Sequence, residues 1–230
     1  MYLTQNHNKN FNWEEYFNNI DSYKYIPDID FKQYFLNARQ ILKEDDQLIG
    51  LTMGTVIRNL LRNLDIYKPN ILELGAGTGF LSRSLLTLYG GKSVLVDKCI
   101  TSYNSFVNIQ SKSNMGSNIT YIVADIFELY MQESFDIVCS FGVVEHFADK
   151  KDIINVHKKF LNKTGHMIII IPMDSKLTRM YYESFPEKNL GYRELLTKKE
   201  IIAQLDEIGV KPINVEISKG YVYDYLAVLC

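Results

Sequence analysis

Apolar positions along the 230 residues follow two rhythms. Largely apolar runs recur at 71–74, 93–96, 119–123, 135–141 and 166–171, the last near-continuous, as expected for a strand covered on both faces. Between them apolar residues return every three or four positions, the spacing of a helix with one buried stripe. A helix is expected over 46–67 (Leu48, Leu51, Val56, Leu60, Leu61, Leu64), a second from Leu81 through Leu88, a polar third over 100–113 and a fourth from Asp149 through Leu161. Thr197 and Glu200 have capping-box spacing and open a fifth, with Ile201, Ile202, Leu205 and Ile208, stopped at Gly209. Two β-rich runs, 213–217 and 221–229, close the chain. At the other end, residues 1–10 are polar and Asn-rich and read as a frayed terminus. Two aromatic stripes follow, Trp13, Tyr16, Phe17 and Ile20, then Phe31, Tyr34, Phe35, Ala38, Ile41 and Leu42. They read as two helices, either packed on the core or closing over a cleft.

The run 71–80, ILELGAGTGF, organises the rest. Ile71, Leu72 and Leu74 make a short strand, the glycines a turn almost free of side-chain bulk, and Leu81 begins a helix. Such a turn lets a ligand approach main-chain N–H groups, and in an α/β protein it is where a nucleotide-like cofactor is gripped. A dinucleotide fingerprint needs G-x-G-x-x-G; here Phe80 stands where its third glycine belongs. Glu73, two residues before Gly75, points a carboxylate towards the ligand, which suits a cation better than a diphosphate. S-adenosylmethionine has no phosphate and carries an ammonium and a sulfonium.

Residues 71–80 resemble motif I of the class I (Rossmann-like) S-adenosylmethionine-dependent methyltransferases, and the following landmarks resemble the small-molecule branch of that family. The resemblance implies an α/β fold: a doubly wound, seven-stranded, mostly parallel sheet with an antiparallel last strand and an N-terminal helical lid. Asp97 ends the second strand, twenty residues beyond Gly77, where an acid accepts from both ribose hydroxyls. Lys98 beside it flanks the adenine. Asp125 and Ile126 match the family's places for the adenine amino group and ring. Residues 141–147, FGVVEHF, resemble motif IV with its EH pair. They do not resemble the [DN]-P-P-[YF] motif of enzymes acting on nucleobase or glutamine amino groups, which argues against DNA, rRNA or release-factor substrates. The implied cofactor contacts are Glu73, Gly75, Ala76, Gly77, Gly79, Asp97, Lys98, Asp125, Ile126 and Ser140.

Methyl transfer from a sulfonium is an in-line displacement, so the protein supplies mainly proximity and alignment. No metal is required, and no clear ligand cluster is visible in the sequence. A base for the acceptor's proton is the one group left to find. His146 is the candidate, since an imidazole titrates near working pH, with Glu145 orienting it or touching a substrate amine. The plainer alternative makes Glu145 a helix cap and His146 a cofactor-lining side chain. His157 and His166 read as structural. Residues 172–196 form a 25-residue connection where a short one would suffice, rich in Lys176, Arg179, Tyr181, Tyr182, Phe185, Tyr192 and Arg193. This reads as a substrate-selecting insertion whose arginines hold a carboxylate or phosphate, or else as a solvated surface helix. Tyr16, Arg179, Tyr182 and Arg193 are the candidate substrate contacts.

Composition narrows the partners. A net charge of −2 and a pI near 6.1 leave no basic footprint for nucleic acid. No apolar stretch is long enough to span a membrane, the first residues lack a secretory h-region, and three scattered cysteines suit neither a disulfide framework nor a zinc site. The expectation is a cytoplasmic monomer or homodimer acting on a small molecule. Residues 1–46 would form the lid and 47–230 the cofactor-binding domain, with 172–196 inserted. The expected reaction moves a methyl group from S-adenosylmethionine, leaving S-adenosylhomocysteine, to O or N of a metabolite such as a natural-product intermediate. The rivals are a non-catalytic binding protein of the same fold, a peptide N-terminal or carboxylate methyltransferase, and an NAD-dependent oxidoreductase, the last disfavoured by the glycine spacing and Glu73.

Overall fold

The computed structural model describes residues 2–4, 12–19, 45–111, 118–189, 191–218 and 223–230. Nine strands are seen among them: β1 (Tyr2–Thr4), β2 (Asn70–Leu74), β3 (Lys92–Asp97), β4 (Ile119–Val123), β5 (Phe135–Phe141), β6 (Leu161–Pro172), β7 (Arg193–Leu195), β8 (Asn214–Ser218) and β9 (Tyr225–Leu229). The α-helices are α1 (Trp13–Asn19), α2 (Asp45–Leu61), α3 (Phe80–Tyr89), α4 (Ile100–Gln110), α5 (Lys150–Lys159), α6 (Lys176–Ser184) and α7 (Lys198–Glu207).

Seven strands form one sheet in the order β4-β3-β2-β5-β6-β9-β8. All neighbours are parallel except β9, which runs antiparallel to both β6 and β8. From β2 the chain moves outward through β3 to β4, then returns to β5 on the other side of β2. The carboxyl ends of β2 and β5 therefore flank a topological switch point, where open α/β sheets bind ligands.

Side chains alternate across the sheet, and both faces are covered. Leu72, Leu74, Val138, Ile169, Ile171 and Val228 pack with Ile153 and Ile154 of α5 and Ile201 and Leu205 of α7. Ile71, Ile137, Ile168, Ile170 and Ala227 pack with Met53, Ile57 and Leu60 of α2, Leu81 and Leu85 of α3, and Phe106 of α4. This two-sided burial is why the central strands read as largely apolar runs. The capping box at α7 forms as its spacing indicates: Thr197 Oγ1 accepts from Glu200 N, and Glu200 Oε2 accepts from Thr197 N.

Several boundaries differ from the sequence reading. Helix α5 starts one residue later, because Asp149 is its N-cap and accepts from Lys151 N and Asp152 N. Strand β6 begins at Leu161, since the polar stretch before His166 continues the strand. The final strand is shorter, starting at Tyr225. The largest difference is at the N-terminus, where residues 2–4 are not frayed. They pair antiparallel with β7 in a second, two-stranded sheet, Leu3 opposite Glu194. That partner lies some 190 residues along the chain, beyond the reach of local pattern. The aromatic stripe over 31–42 lies outside the described residues. No described helix is long and apolar enough to cross a membrane.

Candidate active site

The Gly-rich turn lies between β2 and α3, over the switch point. Gly75, with φ 61°, faces Val143 beyond β5, and a Cβ on it would come within 2.6 Å of Val143 Cγ2. Gly79, with φ 78°, would bring a Cβ within 2.4 Å of Leu95 Cδ1 on β3. Both positions combine a left-handed backbone with a neighbour already in contact, so only glycine closes the turn against the two strands beside it. Tyr121 on β4 donates its hydroxyl to Gly77 O at 2.8 Å.

Two carboxylates serve this turn in different ways. Glu73 is 2 % exposed, and its Oε2 accepts from Ser82 N at 2.8 Å. It braces the first turn of α3 from beneath, and burial pushes its pKa up to about 7 against the pull of these hydrogen bonds. The sequence reading turned this side chain towards the ligand; in the fold it meets the helix start, because alternation along β2 puts residue 73 on the face that α3 covers, with Ile71. Asp97, at the tip of β3, accepts from Gly77 N through Oδ2 and from Cys99 N through Oδ1, both at 2.8 Å. Burial raises its pKa as well, opposed first by these two amides. A carboxylate has about four acceptor positions, so two are left after the amides. Beside it, Lys98 Nζ lies 3.7 Å from Asp125 Oδ2, and Asp125 Oδ1 accepts from Phe127 N while Ile126 is buried. Ser140 stands apart. It is fully buried in β5 and its hydroxyl meets His157 Nε2 at 2.9 Å. His157 Nδ1 lies 2.8 Å from Ile153 O, a pairing that serves the core.

On the far side of the switch point, β5 ends in a 3₁₀ turn, Val144–His146. Glu145 is 1 % exposed, and burial pushes its pKa up to about 7 although Arg193 and Lys150 pull it down. Its Oε2 has no hydrogen-bond partner among the described residues. It does not cap a helix, since Asp149 caps α5. His146 Nδ1 lies 2.7 Å from Tyr192 O. A carbonyl oxygen only accepts, so Nδ1 carries the hydrogen and Nε2 keeps its lone pair, 3.7 Å from Glu145 Oε1. Burial, reinforced by Arg193 and Lys150, lowers the His146 pKa to about 3. This corrects the expectation of an imidazole titrating near working pH: the ring is held neutral.

The N-terminal helix spans both sides. The Trp13 ring packs edge-on against His146, centroids 4.9 Å apart. Glu14 caps α4 in place of a side chain from α4's own start, accepting from Ile100 N at 2.8 Å and from the Thr101 hydroxyl at 2.5 Å. Tyr16 packs against Trp13 and adds to the electrostatic surroundings of Arg193 and Tyr182. From the 172–196 segment, Arg193 is 4 % exposed, lies 4.5 Å over the Tyr182 ring and donates to Asn189 Oδ1 at 2.9 Å. Tyr223 stands against Tyr182, centroids 5.6 Å apart. Arg179 is exposed and pairs with Asp174 through two 2.5 Å hydrogen bonds at the start of α6. The structure thus gathers Tyr16, Tyr182 and Arg193 with Glu145 and His146, and adds Trp13, Glu14 and Tyr223. The lone tryptophan next to an acid was the only local hint of that addition.

Comparison with known proteins bears on this geometry. The family profile described as "Methyltransferase domain" matches residues 68–222, from just before β2 to just short of β9. The chain belongs to this methyltransferase family. Among curated members, a malonyl-[acyl-carrier protein] O-methyltransferase of Ilyobacter polytropus is 29 % identical over 100 residues, 44 % of this chain and 38 % of that one. A mitochondrial ubiquinone biosynthesis O-methyltransferase of Dictyostelium discoideum is 28 % identical over 109 residues, 44 % of this chain and 34 % of that one. The match thus spans little more than a third of these methyltransferases. An uncharacterised protein of Methanocaldococcus jannaschii is 29 % identical over 174 residues, 68 % and 78 % of the two chains. The methyltransferase fold is shared with magnesium protoporphyrin IX methyltransferase from Synechocystis, solved with bound SAH, at TM-score 0.65 and 14 % identity over 85 % of this chain and 92 % of that one. It is also shared with a Burkholderia thailandensis toxoflavin-precursor N1-methyltransferase, at 0.61 and 14 % over 87 % and 84 %.

Proposed function

We propose that this methyltransferase-family chain moves a methyl group from S-adenosylmethionine to an oxygen or nitrogen atom of a small-molecule acceptor. The observation that carries the reading is Asp97. Its carboxylate is fixed by two backbone amides at the switch point, one from the Gly-rich turn, with two acceptor positions left for a cis-diol such as a ribose. The residues fit an adenosyl group: a turn that admits no side chain, an acid at the next strand tip, and Asp125 and Ile126 after that. Gly75, Ala76, Gly77 and Gly79 would follow the cofactor's contour, with Glu73 bracing the turn and Lys98 at the adenine edge. An activated methyl group is what S-adenosylmethionine supplies when bound. The chain supplies alignment and an acceptor for one proton.

His146 Nε2 is our candidate for that acceptor, with Glu145 beside it. A neutral, weakly basic imidazole suffices for a hydroxyl, because the oxonium formed as the methyl group joins it is strongly acidic; an ammonium formed from an amine is a weak acid and gives up its proton to solvent after release. Tyr16, Tyr182 and Arg193 would shape the acceptor pocket, and the β1–β7 pairing supports reading the N-terminal segment and residues 172–196 as its cover. A net charge of −2 supports a small-molecule acceptor rather than nucleic acid. We take the protein to work in the cytoplasm as a monomer or homodimer.

Calorimetry with S-adenosylmethionine, S-adenosylhomocysteine and NAD in turn tests the reading. Binding of the first two without NAD supports it. Binding of NAD alone overturns it. Cofactor binding without methyl loss across a broad acceptor panel would favour a binding protein of the same fold.

A further inference from the structure

One buried ion pair lies outside the groups assigned so far. Lys150, at the start of α5, is 2 % exposed, and Glu194, on β7, is 5 % exposed. Lys150 Nζ meets Glu194 Oε2 at 2.5 Å and also donates to Phe147 O, the residue that follows His146. Glu194 Oε2 accepts a second hydrogen bond, from the Tyr192 hydroxyl at 2.9 Å, and Lys150 Nζ lies 5.3 Å from the centre of the Tyr192 ring. Tyr192 is therefore held at its side chain by the ion pair and at its carbonyl by His146 Nδ1.

A buried ion pair adds little stability over two well-packed apolar side chains, because desolvating both charges offsets their attraction. What it does supply is fixed geometry. Here that geometry joins two segments 44 residues apart, the start of α5 and the strand β7.

We propose that the Lys150–Glu194 pair is a positioning clamp for His146, holding the Tyr192 carbonyl against Nδ1 so that Nε2 is always the nitrogen left to take a proton. Neither residue touches the reacting atoms. The inference rests on the reading of His146 given above. The groups that face the ring are Glu145 on its own turn, Lys150 on α5, Tyr192 just before β7, Arg193 on β7, and the Trp13 ring on α1. Of these, the Tyr192 carbonyl lies within hydrogen-bond distance of a ring nitrogen and selects the Nδ1–H tautomer, and the ion pair holds Tyr192 at its hydroxyl.

The test needs no acceptor molecule. Long-range proton–nitrogen correlation spectra of the histidine rings show which nitrogen of each ring carries hydrogen, and loss of one set of signals in His146→Gln assigns that ring among the four. The parent protein should show His146 wholly as the Nδ1–H tautomer. The paired variant Lys150→Met with Glu194→Leu removes the clamp without stranding a charge. It should keep its circular dichroism and its affinity for S-adenosylmethionine while His146 shifts to a mixture of tautomers. An unchanged single tautomer in a folded paired variant would overturn the proposal. So would failure of that variant to fold, since the pair would then be structural. If the parent binds no S-adenosylmethionine, the proposed function fails and the tautomer comparison still decides the clamp.

Discussion

The two sides of the switch point are built on different principles. The Gly-rich side is local: consecutive residues make the turn, and Asp97 and Ser82 reach it from the next elements of the same β-α-β unit. The other side is assembled from a distance. His146 takes its orientation from Tyr192, its ring contact from Trp13, and its electrostatic surroundings from Arg193 and Lys150. A site that binds a common cofactor can be written into one contiguous motif. A site that selects an acceptor is composed of segments free to vary separately. The two sides should therefore fail differently when they are mutated.

The sharpest break is expected at Gly79. Gly79→Val forces a β-branched residue to φ 78° and drives its Cβ into Leu95, 2.4 Å away. Left-handed strain of about 1–3 kcal/mol and overpacking of about 1–3 kcal/mol together predict a loss of about 2–6 kcal/mol in urea denaturation. A loss below about 1 kcal/mol would mean that the turn is far softer than its packing against β3 implies.

Glu73 gives the next largest effect, through pH. Its folded pKa of about 7 lies above the ordinary 4.5, so the folded state holds a proton that the unfolded state has released. Its contribution is fully present below pH 4.5 and is lost as pH rises to 7. His146 and His157 act in the opposite sense. Their folded values of about 3 and about 4 lie below 6.5, so their contribution is present above 6.5 and is lost as pH falls. In the parent these slopes oppose each other between pH 4.5 and 6.5. Glu73→Gln removes one falling term, so the variant's stability relative to the parent should improve by about 3 kcal/mol between pH 4.5 and pH 7. Parallel stability curves for the two proteins would show that Glu73 is ionised throughout.

The contrast between the two sides also explains what the sequence could show. Strands β4 and β5, the Gly-rich turn, Asp97 and the Thr197–Glu200 box were legible because each depends on residues within one or two neighbouring elements. Periodicity says which face of Trp13–Asn19 is apolar, but not that Glu14 ends on Ile100 N, 86 residues away. It marks 172–196 as long and aromatic, but not that β7 within it pairs with β1 or that Glu194 meets Lys150. Ser140 and Glu73 were placed by family pattern. Their hydrogen bonds to His157 and Ser82 follow from which face of the strand is covered, which only the assembled sheet decides.

Asp97→Ala tests the local side through affinity. Removing the carboxylate leaves ribose hydroxyls unpaired in a buried place and should weaken S-adenosylmethionine by about 1–3 kcal/mol, read by calorimetry. The Gly77 and Cys99 amides lose their acceptor at the same time, so the turn itself should loosen. Unchanged affinity would remove Asp97 from the cofactor site.

The smallest effect is expected where the two sides meet, at Glu14. Its carboxylate caps the first two residues of α4, directly after Cys99, while the preceding Trp13 rests on His146, so α1 ties the cofactor side to the acceptor side. The cap's hydrogen bonds hold the Glu14 pKa below its usual value, as expected for an anion at a helix N-terminus. Glu14→Gln keeps an acceptor oxygen but removes the charge, which should cost about 1 kcal/mol or less. Because α1 contributes little to the main core, that cost should fall on docking of the helix rather than on global unfolding. Limited proteolysis should cut the first 19 residues faster in the variant, while its urea midpoint stays close to the parent's. Adding S-adenosylmethionine should slow the cleavage in both proteins if α1 closes over the cofactor. Cleavage that is fast and indifferent to S-adenosylmethionine in the parent would mean that α1 docks beside the site without covering it, and the two sides would then be joined only through the sheet.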